Sequence, residues 1–170
     1  MITIFYISAA VAFISSILAI SRSNAVHALL YTIVSLLAVA LTFYLLGAPF
    51  AAALEVVIYA GAIMVLFVFV VMMISSGHGA VQQERKWLDS RIWLGPSVLS
   101  AILAIELLSV VLMQNEHVSS GSVVESKQVG MALLGPYMLG VELASLLLTA
   151  GLVGAYHIGK RIEKKDSDHE

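Results

Sequence analysis

The chain alternates between five long apolar stretches and short polar ones. Each apolar stretch holds about 20 residues or more, which is the length that an α-helix needs to cross a bilayer. A helix pairs all its backbone groups within one segment, so helices are strongly favoured over strands in lipid. The pattern predicts an all-α integral membrane protein with five transmembrane helices, at about residues 2–20, 25–46, 49–74, 92–113 and 132–157.

The polar residues between these stretches predict where helices begin and end. Asn24 is a good N-cap for the second helix. Pro49, Pro96 and Pro136 are expected in the opening turns of helices three, four and five, where the missing N–H does little harm. Residues 75–91 and 114–130 are predicted to be polar loops. Residues 1–159 then form one transmembrane domain, followed by a charged tail at 160–170.

Composition supports the membrane assignment and excludes several kinds of chemistry. Of the 170 residues, 60% are hydrophobic and 12% are charged, whereas soluble domains hold about 25% charged residues. With no Cys, the chain forms no disulfide, thiolate metal site or iron–sulfur ligation. The five His have no ligand spacing and no nucleotide-binding motif is present. We therefore expect no metal, cofactor or nucleic acid on this chain, and the lipid bilayer as its surroundings.

The basic residues predict the orientation. Eight of the nine Lys and Arg fall in the odd-numbered loops and the tail, and only Lys127 falls on the opposite side. Cytoplasmic loops carry the excess of Lys and Arg. The N-terminus is therefore predicted to lie outside and the C-terminus in the cytoplasm.

Three acids lie within the predicted spans: Glu55, Glu106 and Glu142. A charged side chain at the bilayer centre costs about 2.5–3.5 kcal/mol even on insertion scales, so each acid is expected to face protein or water. Two interpretations stay open, a part in a proton path or a single hydrogen bond that joins two helices. The proton path is favoured more for Glu55 and Glu142 than for Glu106. No Lys or Arg lies within a span, so the chain is not expected to pump protons alone.

The third stretch is the most distinctive, because it combines polar groups with a weak point in the helix. Glu55 and Tyr59 are four residues apart and share one helix face. Gly61 lowers helix stability and is followed by crowded β-branched and aromatic residues. Such a place can host a π-bulge, an extra residue in one turn. The alternative is that Tyr59 is a packing aromatic with one satisfied hydroxyl.

This third stretch also carries a resemblance to a known family. The chain resembles the subunit J family of bacterial proton-pumping NADH:quinone oxidoreductase, respiratory complex I, whose mitochondrial counterpart is NADH dehydrogenase subunit 6. The matching motifs run in collinear order between about residues 24 and 159. They are NAVHALLY at 24–31, EVVIYAGAIMVLFVFVVMM at 55–73, QERKWL at 83–88, WLGP at 93–96, GPY at 135–137 and VELAS at 141–145.

The resemblance implies a role at the junction between the quinone-reducing arm and the antiporter-like arm. It implies a non-catalytic subunit in the bacterial inner membrane, whose partners are membrane subunits A, H, K and N and the lateral helix of L. NADH, FMN, iron–sulfur clusters and quinone would bind to other subunits. The family's third helix can carry a π-bulge that opens or closes a water path. Here this would make Tyr59, Glu55 and Glu142 path residues, with Gly61 and Val65 at the hinge; no family role is carried over to Glu106.

Two other functions remain open at this point. The chain could be a purely structural subunit whose acids only join neighbouring helices. It could also belong to a related cation/proton antiporter or membrane-bound hydrogenase.

Overall fold

The computed structural model describes residues 2–22, 24–74, 90–112 and 123–167. All regular elements in these ranges are helices, as predicted. In chain order they are α1 Ile2–Ser21, α2 Ala25–Leu45, α3 Pro49–Leu54, a π-helical segment Glu55–Ile63, α4 Met64–Ile74, α5 Ser90–Leu112, α6 Ser126–Leu133 and α7 Met138–Ser167.

Five helices of the described chain are long and apolar enough to cross a membrane. They are α1, α2, the continuous helix made of α3, the π segment and α4, then α5 and α7. Most of the predicted loops at 75–91 and 114–130, and the motif at 83–88, lie outside the described residues. The described chain forms two compact units, residues 1–125 and 126–170. The first unit holds α1 to α5, and the second holds α6 and α7.

Both ends of α2 are fixed by local hydrogen bonds. Asn24 is the predicted N-cap, and its Oδ1 accepts from the Val26 amide at 2.9 Å. At the other end Gly47 has a φ of 83°, which glycine adopts without steric penalty. The Gly47 amide donates to the Tyr44 carbonyl and the Ala48 amide to that of Phe43, each at 3.0 Å. This is a Schellman motif, and it turns the chain sharply into the third span.

The three prolines do not all lie where the sequence predicts. Pro49 is the first residue of α3, as expected. Pro96 lies inside α5, beyond its opening turn, because that helix begins at Ser90. Pro136 lies in the turn before α7, because that helix begins only at Met138. The residues before Pro136 form the short helix α6, part of which was expected to be loop.

The centre of the first unit is α2, which packs against α1, α3, the π segment, α4 and α5. Its buried residues recur at helical spacing and form a stripe facing the core: His27, Tyr31, Val34, Ser35, Ala38, Ala40 and Leu41. Ala38 is completely buried and packs with Val34 and with Val11 of α1. Small residues at this position let helices approach closely, which is how helices associate in lipid.

Hydrogen bonds add to this packing between α1 and α2. The Ser35 hydroxyl lies 2.9 Å from the backbone oxygen of Ala12 and 2.8 Å from the Ser16 hydroxyl. These bonds join α1 directly to α2. Hydrogen bonds between transmembrane helices contribute about 0.6 kcal/mol each on average.

One close contact joins α2 to α5. Tyr31 is 2% exposed, and its hydroxyl packs directly against the α-carbon of Gly95. A Cβ at position 95 would overlap the Tyr31 hydroxyl. Nearby, the rings of His27 and Trp93 meet edge to face with centroids 6.1 Å apart. Position 95 therefore has to be glycine, because α2 and α5 approach too closely here for a larger residue.

We expect Gly95→Ala to destabilise the protein by about 1–3 kcal/mol, the usual cost of overpacking. The measurement is the melting temperature of the helical circular dichroism signal in detergent. Gly151→Ala is the control, since no described atom lies within 4 Å of a Cβ there. Adding Tyr31→Phe to Gly95→Ala should recover part of the loss. Equal melting temperatures for Gly95→Ala and wild type would contradict the contact.

Candidate functional site

The third span changes its hydrogen-bond pattern in the middle. It begins as an α-helix from Pro49 to Leu54, becomes π-helical over Glu55–Ile63 and returns to α-helix at Met64. The Met64 amide donates to the carbonyl of Tyr59, five residues back, and to that of Gly61. A π-helix is defined by such bonds to the fifth residue. Helices mostly contain π-helix as single turns, frequently at functional sites, and this segment is nine residues long.

Gly61 explains why this sequence accepts the wider turn. A Cβ on Gly61 would lie 3.1 Å from the backbone oxygen of Val56, five residues earlier. That is closer than most real Cβ contacts, so a side chain would push against the carbonyl of the adjacent turn. In a regular α-helix Gly is about 1 kcal/mol less favourable than Ala. Gly61 therefore weakens the α-helical alternative and leaves room for the π-helical one.

The predicted polar residues lie in this π segment. Tyr59 is 50% exposed and Glu55 is half-buried within the chain. Among the described residues, neither side chain makes a hydrogen bond to another part of the chain. The Tyr59 hydroxyl can donate and accept, and a carboxyl group can bind a proton. The arrangement presents two groups suited to proton transfer on a helix that is open on this side.

An apolar cavity of about 670 Å³ borders α3 and the first turn of the π segment. It lies between α2, α3 and α5, and the lining includes Val34, Leu41, Ala52, Val56 and Leu107. The lining is mostly apolar and offers water few hydrogen-bond partners.

The helix beyond the π segment has little packing within the chain. No residue of α4 is buried, and large side chains such as Leu66, Phe67 and Met72 are mostly exposed. Since an α-helix has 3.6 residues per turn, moving one residue into or out of a turn rotates everything beyond it by about 100°. Such a rotation of α4 would change its contacts with α2 but would uncover no buried side chain of α4.

The other predicted site residues lie elsewhere. Val65 lies in α4, two residues beyond the end of the π segment, and is 62% exposed. Glu142 is exposed on α7, in the second unit, where its backbone oxygen accepts from the Ser145 hydroxyl at 2.7 Å. The structure brings Glu55, Tyr59 and Gly61 into one element, with Val65 just beyond it.

The acid that sequence reasoning favoured least is the most buried one. Glu106 is 6% exposed, and its Oε2 lies 3.1 Å from the Ser8 hydroxyl of α1. The useful signal in the sequence is the polar spacing in α1, where Ser8 and Ser15 lie seven residues apart on one helix face. Both serines are fully buried. Ser8 has its polar partner in Glu106 on a neighbouring helix, whereas Ser15 Oγ has no hydrogen-bond partner within the described chain.

These features define a multi-pass α-helical membrane protein whose third span is π-helical in the middle. The model of the family NADH-ubiquinone/plastoquinone oxidoreductase chain 6 matches residues 15–158. The match covers most of the chain, and the chain therefore belongs to this family.

Curated relatives agree with the family match. The chain is 55% identical to NADH-quinone oxidoreductase subunit J of Pseudomonas aeruginosa over 162 residues, 95% of this chain and 98% of the relative. It is 51% identical to the subunit of the same name from Escherichia coli K12 over 156 residues, 92% of this chain and 85% of the relative. The subunit J of Buchnera aphidicola from Schizaphis graminum is 49% identical over 162 residues, with 95% and 98% covered. The resemblance drawn from the sequence motifs is confirmed.

We expect Gly61→Ala to shift the third span towards a regular α-helix. The new Cβ crowds the Val56 carbonyl in the π form, and Ala favours the α form by about 1 kcal/mol. A density map of the variant should show the Met64 amide bonded four residues back instead of five. Gly154→Ala is the control, because no described atom lies within 4 Å of a Cβ there. An unchanged π segment in Gly61→Ala would contradict the role assigned to Gly61.

Proposed function

We propose that this chain is a membrane-arm subunit of NADH:quinone oxidoreductase and helps to couple quinone reduction to proton translocation. In this proposal the third span is the gated element, and it controls a water path. The supporting observation is the π segment Glu55–Ile63, which contains Tyr59 and Gly61 in a span of otherwise regular helix. The three relatives named above are subunits J of NADH-quinone oxidoreductase, which favours this enzyme over an antiporter or a hydrogenase.

The gate would work by a change of helix register. In the π form Tyr59 occupies its present place, and α4 continues from Met64. Conversion of the π segment to α-helix would rotate α4 relative to α3 by about 100° for each extra residue that a turn loses. The Tyr59 hydroxyl would then enter or leave a chain of waters, in which it can donate and accept. Glu55, one turn earlier, would hold a proton on this path, and we propose Glu142 as a further acid that holds a proton.

The chemistry of electron transfer would belong to other subunits. The chain has no Cys, so it offers no thiolate for an iron–sulfur cluster. NADH, FMN, the clusters and quinone would bind elsewhere in the complex, and the partners would be subunits A, H, K and N with the lateral helix of L. The location would be the bacterial inner membrane, with the N-terminus outside and the C-terminus in the cytoplasm, as the distribution of Lys and Arg favours.

The central test is Tyr59→Phe, which removes one hydroxyl and keeps the ring. A hydrogen bond contributes about 0.5–1.5 kcal/mol, so we expect the gated step to slow about 2- to 10-fold. Protons pumped per electron should fall while the assembled complex is recovered in normal amount. The measurement is proton uptake and NADH oxidation in inverted vesicles, with Tyr6→Phe on α1 as the control because Tyr6 is also exposed. A Tyr59→Phe enzyme that pumps normally per electron would exclude the gating role of the hydroxyl.

A purely structural role is the second candidate, and it is favoured because Glu142 is exposed and Glu55 is only half-buried. Two acids without hydrogen bonds in the described chain are well placed to bond helices of neighbouring subunits. The variants Glu55→Gln and Glu142→Gln separate the two roles, with Glu125→Gln as an exposed acid outside the spans. The coupling role predicts normal yield and reduced pumping. Reduced yield with normal pumping per electron would establish the structural role instead.

A further inference from the structure

Glu106 and Ser8 form a polar pair that the proposed gate does not use. Ser8 is fully buried on α1 and Glu106 is 6% exposed on α5. The Ser8 hydroxyl lies 3.1 Å from Glu106 Oε2 and 2.9 Å from the backbone oxygen of Ile4. The second carboxyl oxygen, Oε1, is buried and has no hydrogen-bond partner within the described chain. The pair lies in the contact between α1 and α5, among apolar side chains.

A count of hydroxyl protons indicates the protonation state of the pair. Ser8 has a single hydroxyl proton, so it cannot donate to Ile4 and to Glu106 at once. If Glu106 is protonated on Oε2, it donates to the Ser8 oxygen while Ser8 donates to Ile4, and both short contacts become hydrogen bonds. If Glu106 is ionised, Ser8 has to turn away from Ile4 to donate to the carboxylate. The neutral form satisfies more of the observed contacts.

No nearby charge offsets this preference among the described residues. Tyr6 is the one titratable side chain on α1, and it is 68% exposed. Within the described chain, the Glu106 carboxyl has a hydrogen bond to Ser8 alone. On α2, His27 and Tyr31 pack near Trp93 and Gly95, about 16 Å from Glu106 along α5. Tyr44, also on α2, lines the neighbouring apolar cavity. A buried carboxylate without a cation is strongly disfavoured.

The pair lies within two turns of Leu112, the last described residue of α5. Glu106 is six residues before Leu112, a distance of about 9 Å along the axis. Ser109 lies between them, one turn beyond Glu106, and its hydroxyl donates to the Glu106 backbone oxygen at 2.7 Å. Ser109 is only half-buried, so it provides a polar group for the proton between Glu106 and Leu112.

We propose that Glu106 and Ser8 form a second proton-binding site of this protein, separate from the π segment. Glu106 holds the proton at rest. When the proton leaves to water, the O–H bond of the carboxyl breaks, the carboxylate keeps the electron pair, and the Ser8 hydroxyl turns from Ile4 to donate to it. The site thus takes up and releases one proton in exchange with the side of the membrane on which α1 begins.

The test is infrared spectroscopy of the intact complex that contains this chain, in water and in D₂O. A protonated carboxyl has a C=O stretching band separate from the amide bands, and replacing its proton by deuterium lowers the frequency. We expect Glu106→Gln to remove one such band and Glu106→Asp to move it. In wild type the same band should shift down after exchange into D₂O.

Ser8→Ala should displace this band, because the carboxyl loses its hydrogen-bond partner. Ser21→Ala is the matched control: it is on the same helix and its hydroxyl also donates to the carbonyl four residues back, but it is exposed. The proposal is overturned if Glu106→Gln removes no band, since Glu106 would then be ionised. It is equally overturned if the band fails to shift in D₂O, since the proton would then be locked in a structural hydrogen bond. Neither result depends on the Tyr59 gate, which is tested by pumping.

Discussion

A backbone inside a lipid bilayer has to find its hydrogen bonds within the protein, and the third span does so in two different ways. At the start of the π segment the Glu55 amide still bonds to Ala51, four residues back, and at its end the Met64 amide bonds to Tyr59, five residues back. Both patterns keep the backbone paired, so neither exposes unsatisfied groups to lipid. The span can therefore change register while its backbone amides and carbonyls stay hydrogen-bonded within the helix. This freedom is the physical basis of the proposed gate.

The two ends of this span differ in how deeply they are buried in the first unit. The helix α2 is fixed at both ends by Asn24 and Gly47 and packs on α1 and α5 through Ala38 and Tyr31. It also supports α3 and the π segment. By contrast, α4 buries no residue within the unit. A change of register that rotates α4 would therefore change its contacts with α2 without uncovering a buried side chain of α4.

Much of this architecture could be predicted from the sequence because the apolar stretches match the thickness of the bilayer. The cap at Asn24 and the weak point at Gly61 were also predictable, since each depends on local backbone chemistry. The length of the π segment was not, because the choice between the fourth and the fifth residue depends on packing against α2. The partner of Glu106 was hidden for another reason. Ser8 is 98 residues away in the chain, and only the packing of α1 on α5 brings them together.

The central claim is that residues 55–63 exist in two registers and that the enzyme moves between them during turnover. The most direct measurement is a pair of density maps of the intact NADH-quinone oxidoreductase, one at rest and one during steady NADH oxidation. We expect the proportions of the π and α forms to differ between the maps, with Tyr59 displaced and ordered water beside it in one of them. A single π register with Tyr59 in the same place in both maps would contradict the account.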